Sequence, residues 1–179
     1  MTDKQIYQIG LTMINGVGDI LARHLLEALG DAEAVFTEKR QSLEKISGIG
    51  DSIIAEIKRA DVLLRAEKEL AFAQKNGISI YFLKDMNYPE RLRECPDAPV
   101  LFYFKGNADL NAAHIISVVG TRRASAYGQE VTERLLRDLS VIFPDLLVVS
   151  GLAYGIDICA HRNALKNCLL YTSDAADDK

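Results

Sequence analysis

The chain has 179 residues, of which 49% are hydrophobic and 26% are charged, and its formal net charge is −4. This length suits one medium domain or two small ones, and the apolar fraction is sufficient for a globular core. No apolar run is long enough to span a bilayer and no signal sequence is evident, so we expect a cytoplasmic protein. The acidic balance excludes a global basic field, so any binding to nucleic acid must come from a local patch.

The three cysteines indicate neither a disulfide framework nor a zinc site. Cys95, Cys159 and Cys168 are odd in number and share no Cys-x-x-Cys spacing. We therefore expect no metal site in this chain.

The first part of the chain, residues 1–70, has a helical pattern that contains an internal repeat. Residues 11–19 (LTMINGVGD) match residues 43–51 (LEKISGIGD). Each copy predicts a turn of helix, a Gly-apolar-Gly hairpin whose apolar residue is buried, and a second helix. That second helix begins at Asp19 in one copy and at Asp51 in the other.

This repeat resembles a tandem helix-hairpin-helix module of the SAM-like type. Such hairpins often present backbone N–H groups to DNA phosphates, but the same turn also serves to pack two helices or to contact another protein. The basic residues that flank the hairpins are few, namely Arg23, His24, Lys58 and Arg59. Both interpretations stay open on the sequence.

The second part, residues 77–167, changes to strands that alternate with helices. Residues 78–83 and 100–104 are predicted strands, and two strand-turn-helix units follow, with strands at 115–119 and 146–149. This pattern predicts an α/β fold with a Rossmann-like, doubly wound and mainly parallel sheet. Ligands of such sheets lie at the carboxyl ends of the strands.

The turn after the first of these two strands, residues 120–128, has the composition of a phosphate-binding loop. Gly120 allows the backbone to bend, and Thr121 and Ser125 supply hydroxyl donors. Arg122 or Arg123 can donate a fork of hydrogen bonds to phosphate oxygens, although both could also be solvated loop charges. A dinucleotide cofactor is disfavoured, because the spacing is not Gly-x-Gly-x-x-Gly and no acidic residue ends the next strand.

The turn after the second strand, residues 150–157, is a second candidate anion site. Gly151 and Gly155 allow close backbone approach, and Ser150 can donate to an oxyanion. Asp157 is predicted to cap a helix that begins at residue 158. An alternative is that Asp157 and His161, four residues apart, form a general acid-base or metal pair.

Two tyrosines occupy corresponding positions in the two turns. Tyr127 and Tyr154 could stack exposed bases of a single strand, or they could be packing residues. Together the turns could hold two phosphates and so indicate a phosphate-rich ligand, either a nucleotide or a nucleic-acid backbone.

The two turns, in this order, resemble motifs of the DNA-processing protein A family, also called DprA or Smf. The resemblance is carried by residues 118–128 and 150–161, and residues 87–92 and 99–107 match the segment that precedes them in the family. The N-terminal hairpin pair matches the family's SAM-like domain.

The resemblance implies a protein without enzymatic activity and without a cofactor. Family members bind single-stranded DNA that enters the cell, protect it, and help load RecA recombinase during natural transformation, and the full-length proteins form homodimers. The implied DNA-binding arginine is Arg122. The residues implied around it and in the second anion-binding turn are Gly120, Thr121, Ser125, Ser150, Gly151 and Gly155.

Residues 168–179 depart from the family pattern. A further turn and apolar strand are expected here, but the chain has a short polar and acidic end that resembles translated sequencing-adapter sequence. We therefore expect a non-native tail outside the fold and a sheet that stops after two units. The rest of the Rossmann domain, with a lysine of the DNA pocket and the self-association surface, and the winged-helix domain would then be absent.

Two other functions stay open on the sequence. One is a nucleotide-processing Rossmann enzyme of the nucleoside-monophosphate phosphoribohydrolase type, although its Pro-Gly-Gly-type motif is missing. The other is a helix-hairpin-helix adaptor in which the Rossmann part is vestigial.

Overall fold

In the computed structural model, which describes residues 2–174, the chain divides after Lys105 into two units. The first unit contains six helices, a strand, a short helix and a second strand. Their bounds are α1 Thr2–Thr12, α2 Asp19–Leu29, α3 Ala32–Thr37, α4 Arg40–Leu43, α5 Asp51–Ile57, α6 Ala60–Lys75, β1 Ser79–Phe82, α7 Glu90–Arg93 and β2 Leu101–Phe104.

The internal repeat forms the two hairpins that the sequence predicts. Gly16 and Gly48 adopt φ values of +82° and +85°, which glycine tolerates without strain, and α2 and α5 begin at the two predicted aspartates. The apolar residues between the glycines, Val17 and Ile49, are buried. Each hairpin therefore packs one apolar side chain into the core of this unit, which fixes the turn between its two helices.

Strands β1 and β2 belong to this first unit, whereas we predicted a second domain that starts near residue 77. They pair with each other in antiparallel fashion, with Ser79 opposite Phe104 and Phe82 opposite Leu101. Phe82 and Leu101 join the hydrophobic core that the helices form. Because their apolar faces are buried there, they form a separate pair outside the parallel sheet.

The second unit has the predicted parallel sheet with helical crossovers. Its elements are β3 Ile115–Ser117, α8 Ala126–Ile142, β4 Leu147–Gly151, α9 Ile156–Lys166 and β5 Leu170–Asp174. The strand order is β3-β4-β5 and both pairings are parallel. Leu136 of α8 and Ala160 and Ala164 of α9 pack with Val148 of β4, so both helices share one core with the sheet.

The expectation that the sheet stops after β4 is wrong. Residues 170–174 form β5, which pairs with β4 from Leu147 opposite Leu170 to Gly151 opposite Asp174. Leu169, just before the strand, is buried in the core of this unit. The short run of apolar and β-forming residues at 169–172 is enough to add a strand to an open edge. Residues 175–179 of the expected tail lie outside the described residues.

Among residues 2–174, the structure has no helix with both the length and the hydropathy that a membrane span requires.

Candidate nucleic-acid interface

The two predicted turns lie side by side at the carboxyl edge of the parallel sheet. Strands β3 and β4 are neighbours, and their pairing continues past β3, where the Val118 amide donates to the Val149 carbonyl at 2.9 Å. The hydroxyl of Ser150 then donates to the Val118 carbonyl at 2.6 Å. The ends of the two strands are therefore bonded to each other at the point where both turns begin.

A direct backbone contact joins the turns. The Ile156 amide donates to the Thr121 carbonyl at 3.2 Å. Gly155, with φ of +85°, lies so close that a Cβ atom there would be 2.1 Å from that carbonyl oxygen and 2.6 Å from the carbonyl carbon of Arg122. Only glycine fits this contact, which holds the arginine-bearing turn against the second turn.

Gly120 meets a similar requirement on the other side of the contact. A Cβ atom at position 120 would lie 2.7 Å from the Cβ and Cγ1 atoms of Ile156. The Ile156 side chain also approaches Gly128, where a Cβ would be 3.3 Å from its Cδ1 atom. Close packing against Ile156, in addition to the bend that we predicted, therefore requires a small residue at position 120.

The hydroxyl groups of the first turn have a structural use that leaves their own hydrogens available. The Thr121 Oγ1 atom accepts from the Arg123 amide at 3.2 Å, and the Ser125 Oγ atom caps α8 by accepting from the Gly128 amide at 3.1 Å. Both side chains are exposed, and a hydroxyl that accepts one hydrogen bond can still donate one to a ligand.

The sequence predicts that the Ser150 hydroxyl donates to a bound oxyanion, and the structure does not place it for that role. Its side chain is buried, and its hydroxyl hydrogen is engaged by the Val118 carbonyl. This hydrogen bond joins the ends of the two strands, so the Ser150 hydroxyl hydrogen is not available to a ligand.

Positive charge is concentrated and exposed at the first turn. Arg122 and Arg123 are both exposed, and residues 119–128 and 150–156 contain no acidic side chain. The guanidinium of Arg123 has no hydrogen bond or ion pair to residues 2–174. The amides of Ala126 and Tyr127, at the start of α8, likewise have no acceptor in that range. Free amides and the positive end of a helix dipole favour an anion here.

The two tyrosines of the turns are exposed. Tyr127 has 74% and Tyr154 has 84% of its surface accessible. Neither side chain is a packing residue of the described unit.

Asp157 and His161 are both in the interior. Helix α9 begins at Ile156 with Gly155 as its N-cap, so the prediction that Asp157 caps the helix is wrong. Asp157 is 5% and His161 is 4% exposed, and the histidine Nε2 atom lies 3.3 Å from the Gly151 carbonyl oxygen. This burial keeps the pair away from any substrate at the surface. No group of three or more metal-ligating side chains occurs among the described residues.

The basic residues near the N-terminal hairpins contact the protein itself. The Arg23 guanidinium donates to carbonyls in the segment 95–98, and the Lys58 ammonium donates to two carbonyls at the end of α3. Arg59 forms an ion pair with Asp61 at 2.9 Å. Three of the four flanking basic residues therefore already have acceptors within the first unit.

The chain is similar in sequence to known DNA processing proteins. The family model for DNA recombination-mediator protein A matches residues 79–172. The DNA processing protein DprA of Streptococcus pneumoniae is 42% identical over 87 residues, which cover 49% of this chain and 30% of that protein. Protein Smf of Synechocystis sp. is 26% identical over 167 residues, covering 91% of this chain and 42% of that protein.

A solved structure supports the same relationship. The X-ray structure of DNA processing protein A from Streptococcus pneumoniae matches 96% of this chain and 56% of its own length, with a TM-score of 0.57 and 28% identity. The chain thus spans between 30% and 42% of the two curated relatives named above. The resemblance and the α/β fold class inferred from the sequence are confirmed, and the chain belongs to the DNA recombination-mediator protein A family.

Proposed function

We propose that this chain binds single-stranded DNA through its sugar-phosphate backbone at the paired turns, and that it performs no chemistry on the DNA. The observation that carries the proposal is the contact between Gly155 and the backbone of Thr121 and Arg122, which unites the two turns. It supports one continuous anion-binding surface in place of two separate loops.

In this proposal each part of the surface has a distinct task. Arg122 and Arg123 pair with successive phosphates, because a guanidinium stays charged and matches the geometry of phosphate oxygens. The free amides at the start of α8 and the hydroxyls of Thr121 and Ser125 donate to the same groups. Gly120, Gly151 and Gly155 keep the backbone of both turns close to the ligand. Contacts of this kind position a strand without reading its sequence.

We further propose the wider role that the resemblance implies, in which incoming single-stranded DNA is protected and RecA recombinase is loaded during natural transformation. The family description as a recombination mediator and the names of the relatives as DNA processing proteins support it. Contact with RecA and assembly into a homodimer are proposals for the full-length proteins. A cytoplasmic location is proposed on the same grounds.

A nucleotide-hydrolysing role is less well supported than binding. The acid-base pair that such a role would use in this chain, Asp157 and His161, is buried. The proposed binding to phosphates uses neither Asp157 nor His161.

Fluorescence anisotropy with a labelled single-stranded oligonucleotide tests the proposal. Affinity is expected to fall steeply between about 50 and 200 mM salt, because bound phosphates release their counterions. Arg122→Ala is expected to weaken binding and to reduce the slope of log affinity against log salt by about 0.7, the value for one phosphate of a single strand.

The matched control is Arg134→Ala, which removes the same charge from an exposed position on α8. Its affinity is expected to equal that of the unaltered chain. Equal losses in both variants would indicate a diffuse charge effect, and an Arg122→Ala variant that binds normally would remove the proposed site.

A further inference from the structure

The two exposed tyrosines beside the paired turns have no role in the phosphate contacts proposed above. Tyr127 lies in the first turn of α8, and Tyr154 immediately precedes Gly155. Tyr127 is 74% and Tyr154 is 84% exposed, and neither ring has a hydrogen bond or an aromatic partner in the range 2–174. Both side chains are therefore accessible to a ligand.

Both tyrosines directly precede a glycine of the region where the two turns meet. Tyr127 is followed by Gly128, which faces the Ile156 side chain, and Tyr154 is followed by Gly155, which lies against the backbone of residues 121–122. Val119 and Leu152, one at the start of each turn, are also exposed, at 78% and 64%. The segments that form the paired turns therefore carry accessible apolar and aromatic side chains as well as the two arginines.

Arginines mixed with exposed aromatic rings, with Asp157 as the one acidic residue of the two turns and that residue buried, favour a ligand that is both anionic and flat-faced. Bases of a single strand are such groups, and every base has a face that can stack on an aromatic ring. We propose that Tyr127 and Tyr154 stack on bases of the same single strand whose phosphates the turns hold. This inference rests on the proposed function of the turns.

Stacking on these rings has a consequence for selectivity. In a duplex the faces of the bases are occupied by their neighbours, so a tyrosine ring can reach them only after unstacking. The tyrosines therefore favour single strands over duplexes, whereas the arginines alone would accept phosphates of either.

Two single-stranded probes with equal numbers of phosphates separate the two kinds of contact. One is oligo(dT) and the other is an abasic oligonucleotide of the same length. The chain is expected to bind oligo(dT) more tightly. Tyr127→Ala and Tyr154→Ala are each expected to weaken binding of oligo(dT) by roughly 5- to 100-fold and to leave binding of the abasic probe unchanged.

Controls keep the interpretation unambiguous. Tyr127→Phe and Tyr154→Phe retain the rings and are expected to bind oligo(dT) like the unaltered chain, while Tyr103→Ala removes a partly exposed tyrosine of β2 and is expected to have no effect. Circular dichroism checks that each variant is folded.

Failure of this inference differs from failure of the proposed function. Alanine variants that bind oligo(dT) normally, or an unaltered chain that binds both probes equally, would overturn the stacking inference while Arg122→Ala still weakened binding. If Arg122→Ala left the affinity for both probes unchanged, the phosphate site itself would be wrong, and the stacking inference would be withdrawn with it.

Discussion

The N-terminal hairpins and the paired turns use the same local device with different results. In both, a glycine turn leads into the N-terminus of a helix and leaves backbone amides without helical partners. In the first unit the neighbouring cations donate to carbonyls and carboxylates of that unit, as Arg23 and Lys58 do. In the second unit the guanidinium of the exposed Arg123 has no hydrogen bond or ion pair to residues 2–174, and Asp157, the one acidic residue of the two turns, is buried. A glycine turn therefore marks a potential phosphate site, and the partners of nearby cations decide whether it is available.

Gly155→Ala is expected to have the largest effect of the substitutions that test this comparison. The new Cβ would meet the Thr121 carbonyl oxygen at 2.1 Å in a backbone conformation with φ of +85°. We expect a loss of about 3 kcal/mol or more in the free energy of unfolding, together with loss of DNA binding. Urea unfolding followed by circular dichroism measures the first effect and anisotropy the second.

The matched control in the first unit is Gly50→Ala. Gly50 has an extended backbone with φ of −96° as the N-cap of α5, and a Cβ there would have no atom within 4 Å. We expect a loss of only about 0.5–1 kcal/mol, because alanine is a poorer N-cap than glycine. Similar losses in the two variants would show that the contact between the turns is not tight.

Arg23→Ala sharpens the contrast between the two kinds of arginine. Its guanidinium holds two carbonyls of the segment 95–98, so its loss is expected to cost about 2 kcal/mol of unfolding free energy. DNA affinity is expected to stay the same. Arg123→Ala is expected to do the reverse, with stability changed by less than about 0.5 kcal/mol, because its exposed guanidinium has no partner among residues 2–174. A loss of DNA affinity in Arg23→Ala would indicate that the first unit also contacts DNA.

Ser125→Ala is expected to have a smaller effect on both properties. It removes the cap that accepts from the Gly128 amide, at a cost of about 1 kcal/mol. It also removes a hydroxyl donor of the first turn, so we expect a modest loss of DNA affinity. Ser140→Ala, late in the same helix, removes a serine outside the turn and is expected to leave affinity unchanged. Chemical denaturation and anisotropy on both variants test this, and full affinity in Ser125→Ala would exclude its hydroxyl from the site.

The smallest expected effect comes from the opposite edge of the parallel sheet. A hydrogen bond from His114 lowers the pKa of the Asp145 carboxyl below its ordinary value. This hydrogen bond therefore stabilises the folded chain above the ordinary pKa of an aspartate, and its contribution is lost as pH falls through the lowered pKa of Asp145. Asp145→Asn is expected to reduce that part of the acid dependence of unfolding without changing DNA affinity. An unchanged acid profile would show that the pair contributes nothing.

Local patterns were enough to predict the hairpins, the parallel sheet and the two turns. Glycine spacing and hydrophobic periodicity are local signals, and the positions of Gly16, Gly48 and Gly120 carried them. The strand β5 was missed because the composition of residues 168–179 is polar and acidic on average, although 169–172 alone can form a strand. The sequence also placed β1 and β2 in the second domain, whereas they belong to the first unit. Alternation of apolar and polar residues predicts a strand but does not identify the strand with which it pairs.

The candidate site likewise has some features that local sequence predicts and others that depend on tertiary contacts. The arginines and glycines were predicted from the composition of the two turns and from the family resemblance, but the contact between Gly155 and Thr121 depends on two turns 34 positions apart in the chain. Its one local signal is a glycine directly before a helix. The buried positions of Ser150 and Asp157 also follow from packing between strands and helix, which composition does not report.

NMR mapping of backbone amides during titration with oligo(dT) distinguishes the paired turns from the hairpins as the surface that contacts DNA. We expect chemical shift changes to concentrate in residues 119–128 and 151–158, with the amides of Ala126 and Tyr127 among the largest, and we expect residues 16–19 and 48–51 to be unaffected. Changes that concentrate in the two hairpins, with the paired turns unaffected, would show that the paired turns are not the DNA-binding site.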